Sequence, residues 1–132
     1  MINYENLKKL NESMFPELEE AFKEFIQSGW YVLGNQVEKF EKEFAEYCGS
    51  KHSIGVASGL DALILSLRYF DFPKGSEVLV PSNTYIATIL AIINEGLTPI
   101  LVEPDPATCN IDPKQIEAKV TENTRAIMIV HL

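Results

Sequence analysis

From Gly49 onward the sequence repeats one order of events: a short apolar run, a turn of small residues or proline, then a stretch with helical spacing. His52 to Ala57 leads through Ser58-Gly59 into Leu60 to Phe70. Glu77 to Pro81 leads through Ser82-Asn83-Thr84 into Tyr85 to Asn94. Pro99 to Val102 leads through Glu103-Pro104-Asp105 to a helix that Asp112-Pro113 starts and that runs through Val120, and Arg125 to Leu132 is a fourth apolar run. Strands this uniformly apolar, separated by helices, predict a parallel sheet covered on both faces. Right-handed crossovers then make the fold α/β, three-layered, with a mostly parallel sheet. The chain stops as its fourth strand ends. An apolar strand left uncovered invites aggregation, so the sequence is expected to be the front part of something longer.

Residues 1–49 read differently, as an amino-terminal helical segment ahead of the α/β part at 50–132. A helix is predicted to start near Pro16, with Phe15, Leu18, Phe22, Phe25 and Ile26 on one face and glutamates opposite. Ser28-Gly29 ends it. The apolar, aromatic linker Trp30-Tyr31-Val32-Leu33-Gly34 either packs under something or meets a ligand, and packing is the commoner reason for such residues. Asn35 with Glu38 three residues on predicts a capping box. It opens a helix carrying Val37, Phe40, Phe44 and Cys48 inward and stopping at Gly49.

A net charge of -8, with lysines interleaved among glutamates, argues against a nucleic-acid partner, which needs a basic stripe. Any anionic ligand must be held locally. Apolar content of 46% suffices for a core, and no apolar run is long enough to span a membrane. Met1-Ile2-Asn3-Tyr4-Glu5 shows neither part of a signal peptide. Cys48 and Cys109 lie far apart with no metal-ligand spacing, which predicts a buried thiol and a loop thiol in a reducing cytoplasm.

Ligands of such sheets bind where the strands end at their carboxyl edge. That rule gathers Ser58-Gly59, Ser82 to Tyr85, Glu103-Pro104-Asp105 and His131 on one side and sends Lys51 and Lys74 to the other. A strand that feeds a helix through Ser58-Gly59 leaves the first helical N–H groups free, a favourable place for an anion. Gly59 also lets the backbone come close to a ligand. Tyr85 would hold a flat ring over the same edge, which suits a phosphorylated aromatic cofactor. Each residue has a plainer explanation: an ordinary strand-to-helix turn, a packing tyrosine, a structural histidine at 131, a loop carboxylate at Asp105 and a dipole-stabilising Asp61.

Taken together, Ser28 to Gly34, Val37, Phe40-Glu41, Phe44-Ala45, Tyr47-Cys48-Gly49, Val56 to Leu63, Val80 to Thr88, Glu103-Pro104-Asp105, Asn110 to Pro113 and Val130-His131-Leu132 resemble the DegT family of sugar aminotransferases. These are pyridoxal 5'-phosphate (PLP) enzymes of the aspartate aminotransferase fold. The resemblance covers nearly the whole chain and implies that Ser58, Gly59 and Leu60 form the phosphate turn and that Tyr85 stacks on the pyridine ring. It implies nucleotide-sugar and amino-acid substrates and a homodimer. The stretch from Glu103 to Leu132 is most similar to enzymes that aminate the 3-keto position of dTDP-linked 6-deoxyhexoses. Family members often have threonine where this chain has Leu60, so only the backbone part of that contact carries over. The family's Schiff-base lysine and its pyridinium-pairing aspartate correspond to positions past Leu132, so no catalytic residue is assigned within the chain. Two rivals stand beside this reading. A dehydratase branch of the family replaces the lysine with histidine, and a non-catalytic α/β module could bind a phosphorylated ligand.

Overall fold

The computed structural model describes residues 4–132, so the leader expectation for Met1 to Asn3 lies outside it. The chain divides into a unit that ends at Gly55 and a unit of Val56–Leu132.

The first unit is helical, with α1 (Leu7–Asn11), a 3-10 turn (Glu12–Met14), α2 (Phe15–Ser28) and α3 (Asn35–Cys48). Asn6 caps α1 by accepting from the Lys9 N–H. Pro16 sits in the first turn of α2, and Gly29 closes that helix with φ at 66°, a left-handed value that costs glycine nothing. The linker after it folds back on α2. Tyr31 donates its hydroxyl to the Ile26 carbonyl at 2.9 Å, and the Phe25 and Tyr31 rings lie 5.0 Å apart. Trp30 Nε1 donates to the Val32 carbonyl at 2.7 Å.

Two expectations for this unit need correction. The capping box at Asn35 and Glu38 does not form, because the N-cap is Gly34 in an extended conformation and makes no side-chain cap bond. With Asn35 already helical, its side chain cannot reach back over the first turn; the Gly34 carbonyl receives the Val37 and Glu38 N–H groups instead. The predicted inner face of α3 is also mostly outside. Only Ala45 is buried, Phe40 and Phe44 stack on one another in the open at 5.5 Å, and Cys48 is exposed. A helix buries its apolar stripe only against an opposing apolar surface, and this unit supplies too little.

The second unit contains α4 (Gly59–Phe70), β1 (Glu77–Pro81), α5 (Ile86–Asn94), β2 (Thr98–Val102), α6 (Pro113–Ile116), a 3-10 turn (Glu117–Lys119) and β3 (Thr124–Ile127). The strands form one parallel sheet in the order β2-β1-β3. Strand alternation divides β1 between two cores. Val78 and Val80 pack with Leu67 of α4, Ala91 and Ile92 of α5, and Leu97. Leu79 faces the other way, towards Val102, Ile111 and Ile116. Helices α4 and α5 therefore cover one face of the parallel sheet, as the sequence pattern predicts, while on the other face Ile116 of the one-turn α6 packs beside Leu79 and Val102 and Ile127 stays 44% exposed.

The strand expected over His52 to Ala57 is absent. A strand exists only where a neighbour completes its ladder, and no strand among the described residues pairs with this segment. The Gly55 N–H goes instead to Glu41 Oε1 at 2.6 Å. The strand expected over Arg125 to Leu132 is real but stops at Ile127. Its last ladder bond runs from the Met128 N–H to the Leu79 carbonyl at 2.8 Å. The next would need an N–H from residue 81, which is proline. On the β2 side the ladder runs on, with Ser82 donating to the Val102 carbonyl at 2.8 Å.

Candidate functional site

Helices α4 and α5 pack side by side, and their amino-terminal ends share a groove of 690 Å3 lined by Ser58, Gly59, Leu60, Tyr85, Ile86 and Thr88 among others. The α4 end is built by Ser58. Its extended backbone makes it the N-cap, its Oγ accepts from the Asp61 N–H at 3.2 Å, and its hydroxyl donates to Asp61 Oδ2 at 2.9 Å. The Ala62 N–H reaches the Ser58 carbonyl. That accounts for the donors of residues 61 and 62 and leaves those of Gly59 and Leu60 with no partner among the described residues.

A Cβ placed on Gly59 would meet nothing within 4 Å, and its φ is not left-handed. Neither the local backbone nor the packing demands glycine there. The space a side chain would fill lies open beside two unpaired N–H groups, and this fits close approach of an anionic ligand. Leu60 packs its side chain against the α4–α5 core and also lines the groove, where its polar contribution is its backbone N–H.

On the α5 side, Tyr85 is 78% exposed and occupies the N-cap, where it makes no side-chain cap bond. A tyrosine cannot cap as serine or aspartate would, a loss of roughly 1 kcal/mol in helix stability. Thr84, just before it, donates its hydroxyl to Thr88 Oγ1 at 2.8 Å. Sequence reasoning missed this pair. The signal was there: a tyrosine at a helix start with threonines one position before and three after.

The other residues assigned to this edge are not gathered at the groove. Asp105 Oδ1 accepts from the Ala107 N–H at 2.8 Å and organises its own loop, with Cys109 at a left-handed φ of 59°. His131 is exposed beyond the end of β3. Asn83 Nδ2 donates to the Cys109 carbonyl at 2.9 Å, and Asn110 Oδ1 accepts from the Leu132 N–H at 3.1 Å, tying the segments that follow the three strands. Lys74 lies in the turn before β1, as expected. Lys51 precedes no strand, so its placement at the far edge lapses with the missing strand. Lys114, in the first turn of α6, follows the loop after β2 and is exposed. No cluster of metal-ligating side chains occurs among the described residues.

At their other ends the two helices are bridged by Arg68 and Glu95. The hydrogen bond from Arg68, with its positive charge, holds the Glu95 carboxyl below its ordinary range, and the same bond raises the guanidinium.

Residues 13–132 match the model of the DegT/DnrJ/EryC1/StrS aminotransferase family. The chain belongs to this family. It is 54% identical over 132 residues to a dTDP-3-amino-3,6-dideoxy-alpha-D-galactopyranose transaminase of Aneurinibacillus thermoaerophilus, covering all of this chain and 36% of that protein. Among solved structures it is similar to DesV of S. venezuelae in complex with a ketimine intermediate, with a TM-score of 0.91 and 44% identity over 99% of this chain and 35% of the other. A GDP-4-keto-6-deoxymannose-3-dehydratase with a trapped PLP-glutamate geminal diamine is similar at a TM-score of 0.78 and 30% identity, over 84% of this chain and 30% of that one. The chain thus spans about a third of the length of these relatives. No helix among the described residues is long and apolar enough to cross a membrane.

Proposed function

We propose that this chain is the amino-terminal part of a PLP-dependent aminotransferase that aminates a nucleotide-linked keto-sugar, a dTDP-3-keto-6-deoxyhexose, with an amino acid such as glutamate as donor. One observation carries the proposal. Two unpaired helix N–H groups beside an open Gly59 and the exposed ring of Tyr85 line a single groove.

In this reading the Gly59 and Leu60 N–H groups donate to the cofactor phosphate, aided by the α4 dipole. Ser58 acts one step back. Its hydroxyl is committed to Asp61, and this fixes the turn that aims both donors. Tyr85, exposed at the groove, would be the residue to stack on a flat pyridine ring and exclude water from it. PLP, when bound, supplies the electron sink for moving an amino group between carbons. The lysine that links the cofactor and moves protons at the substrate carbon belongs to the family's later segments, so the 132 residues alone are proposed to be inactive. The helical segment read from the sequence as 1–49 would serve as a lead-in and 50–132 as the first part of the PLP-binding domain, with the compact units of the described residues dividing slightly later, at Gly55.

A cytoplasmic homodimer is part of the proposal. The exposed Phe22, Ile26, Phe40 and Phe44 of the first unit support assembly with further surface. The similarity to a dehydratase favours a second reading on the same fold. In that branch histidine replaces the lysine, so the residue at that position of the full-length protein separates the two.

The direct test is to titrate the full-length protein with PLP, follow the absorbance of bound cofactor, and then assay amino transfer to a dTDP-keto-sugar. Saturable binding with turnover is the expected result. No bound-cofactor band would overturn the proposal in favour of a non-catalytic phosphorylated-ligand module.

A further inference from the structure

Tyr85 has to be held in place by something, and its own side chain does not do it. The ring is 78% exposed, it is the N-cap of α5, and it makes no capping bond. Its direction is set by the backbone on either side, at φ -63° and ψ 140°. Thr84 and Thr88 bracket that residue. Thr88 is buried, lines the same groove, and receives the Thr84 hydroxyl at 2.8 Å across the first turn. The backbone repeats the closure, with the Thr88 N–H donating to the Tyr85 carbonyl at 3.0 Å and the Thr84 N–H reaching the Pro81 carbonyl at 3.3 Å.

We infer that the Thr84–Thr88 hydroxyl pair is a positioning latch that holds Tyr85 over the groove and so sets affinity for a flat phosphorylated cofactor. A helix start normally places serine, threonine, aspartate or asparagine at the N-cap. Here that position is occupied by the ring, and a side-chain bond spanning the same turn restrains the backbone in place of the missing cap. Local sequence rules are broken most often where function needs a particular group. The latch closes on hydroxyls one of which is buried, so water competes poorly for it. The inference rests on the reading of the groove as the PLP site.

The test uses Thr88→Val, which keeps the shape and removes the hydroxyl, and Thr88→Ser, which restores it, in the full-length protein. PLP affinity is read by spectral titration and global stability by thermal melting. Thr88→Val should raise the PLP dissociation constant roughly threefold to tenfold, the size of one hydrogen bond. Thr88→Ser should recover most of that, and Thr88→Val should add little in a Tyr85→Ala background, because the latch acts through the ring. Thr84→Val removes the same bond from the half-buried side and should reproduce the loss if Thr88→Val folds poorly. Unchanged affinity in the folded valine variants overturns the inference while leaving the groove reading intact, provided Tyr85→Ala still weakens binding. An equal loss with and without Tyr85 also overturns it. If Tyr85→Ala itself has no effect on affinity, the groove reading falls and the latch with it.

Discussion

Arg68 donates to Glu95 through two nitrogens, Nη2 to Oε1 at 2.7 Å and Nε to Oε2 at 3.2 Å, joining the last turn of α4 to the C-cap of α5. The Glu95 side chain is largely covered while Arg68 is largely exposed. The forked geometry fixes two planar groups at once and ties together the ends of α4 and α5 that lie away from the groove.

That bridge makes a pH prediction. The folded Glu95 carboxyl lies below its ordinary value of 4.5, so the unfolded chain takes up the proton first as pH falls. The stability it contributes is fully present above that ordinary value and is lost as pH drops through the lower folded one. Urea midpoints of the parent and of Glu95→Gln, compared at neutral pH and in the acid range, should differ at neutral pH and converge in acid. A difference that persists unchanged into acid would show that the charge pair contributes nothing.

Gly59→Val should weaken PLP binding in the full-length protein while leaving the melting temperature nearly unchanged, because the added carbons enter open space. Spectral titration checks it, and undiminished affinity would count against the phosphate turn.

Tyr85→Ala should raise the PLP dissociation constant about tenfold, near 1.4 kcal/mol, with little loss of stability from a residue this exposed. Unfolding without a selective effect on cofactor would mean that the ring is a packing residue.

Ile92→Ala removes a fully buried side chain from the face shared by α4, α5 and β1 and should cost about 2–5 kcal/mol in a denaturant melt. A loss below 1 kcal/mol would mean that the core is not packed as described.

The 132-residue chain, incubated with PLP and reduced with borohydride, should show no stoichiometric pyridoxyl adduct by mass spectrometry. Lys114 is the residue to watch, since it opens α6 after the loop that follows β2. A single adduct there, accompanied by turnover, would overturn the proposal that the chemistry needs later segments.

The sequence carried β1, β2, α4 and α5 clearly, because Val78 to Val80 and the Leu60, Leu63, Ile64, Leu67 spacing encode their own burial. The segment from His52 to Ala57 has the same apolar character, yet it stays irregular because a strand is a property of two segments and its composition describes only one. The start of α3 was misplaced by one residue, since Gly34 reaches an extended N-cap conformation that leaves Asn35 inside the helix. At the groove, Ser58-Gly59 pointed to a tight turn into α4, and the structure leaves the Gly59 and Leu60 N–H groups there without a partner among the described residues. The Thr84–Thr88 bond was harder to see, because it depends on two hydroxyls meeting across a turn whose N-cap is a tyrosine.

Pro81 gives the sheet a direction-dependent end. It is fully buried in the central strand, and the donor it lacks would have pointed only towards β3. Like a zipper missing one tooth on one side, β1 stays engaged with β2 through Ser82 while it has already released the other neighbour after Met128. The segment after Met128 diverges from β1, and the Leu132 N–H donates to Asn110 Oδ1 in the loop after β2. One absent hydrogen atom therefore sets how far the two neighbours of β1 keep company, and it does so at the edge where sheets of this kind receive their ligands.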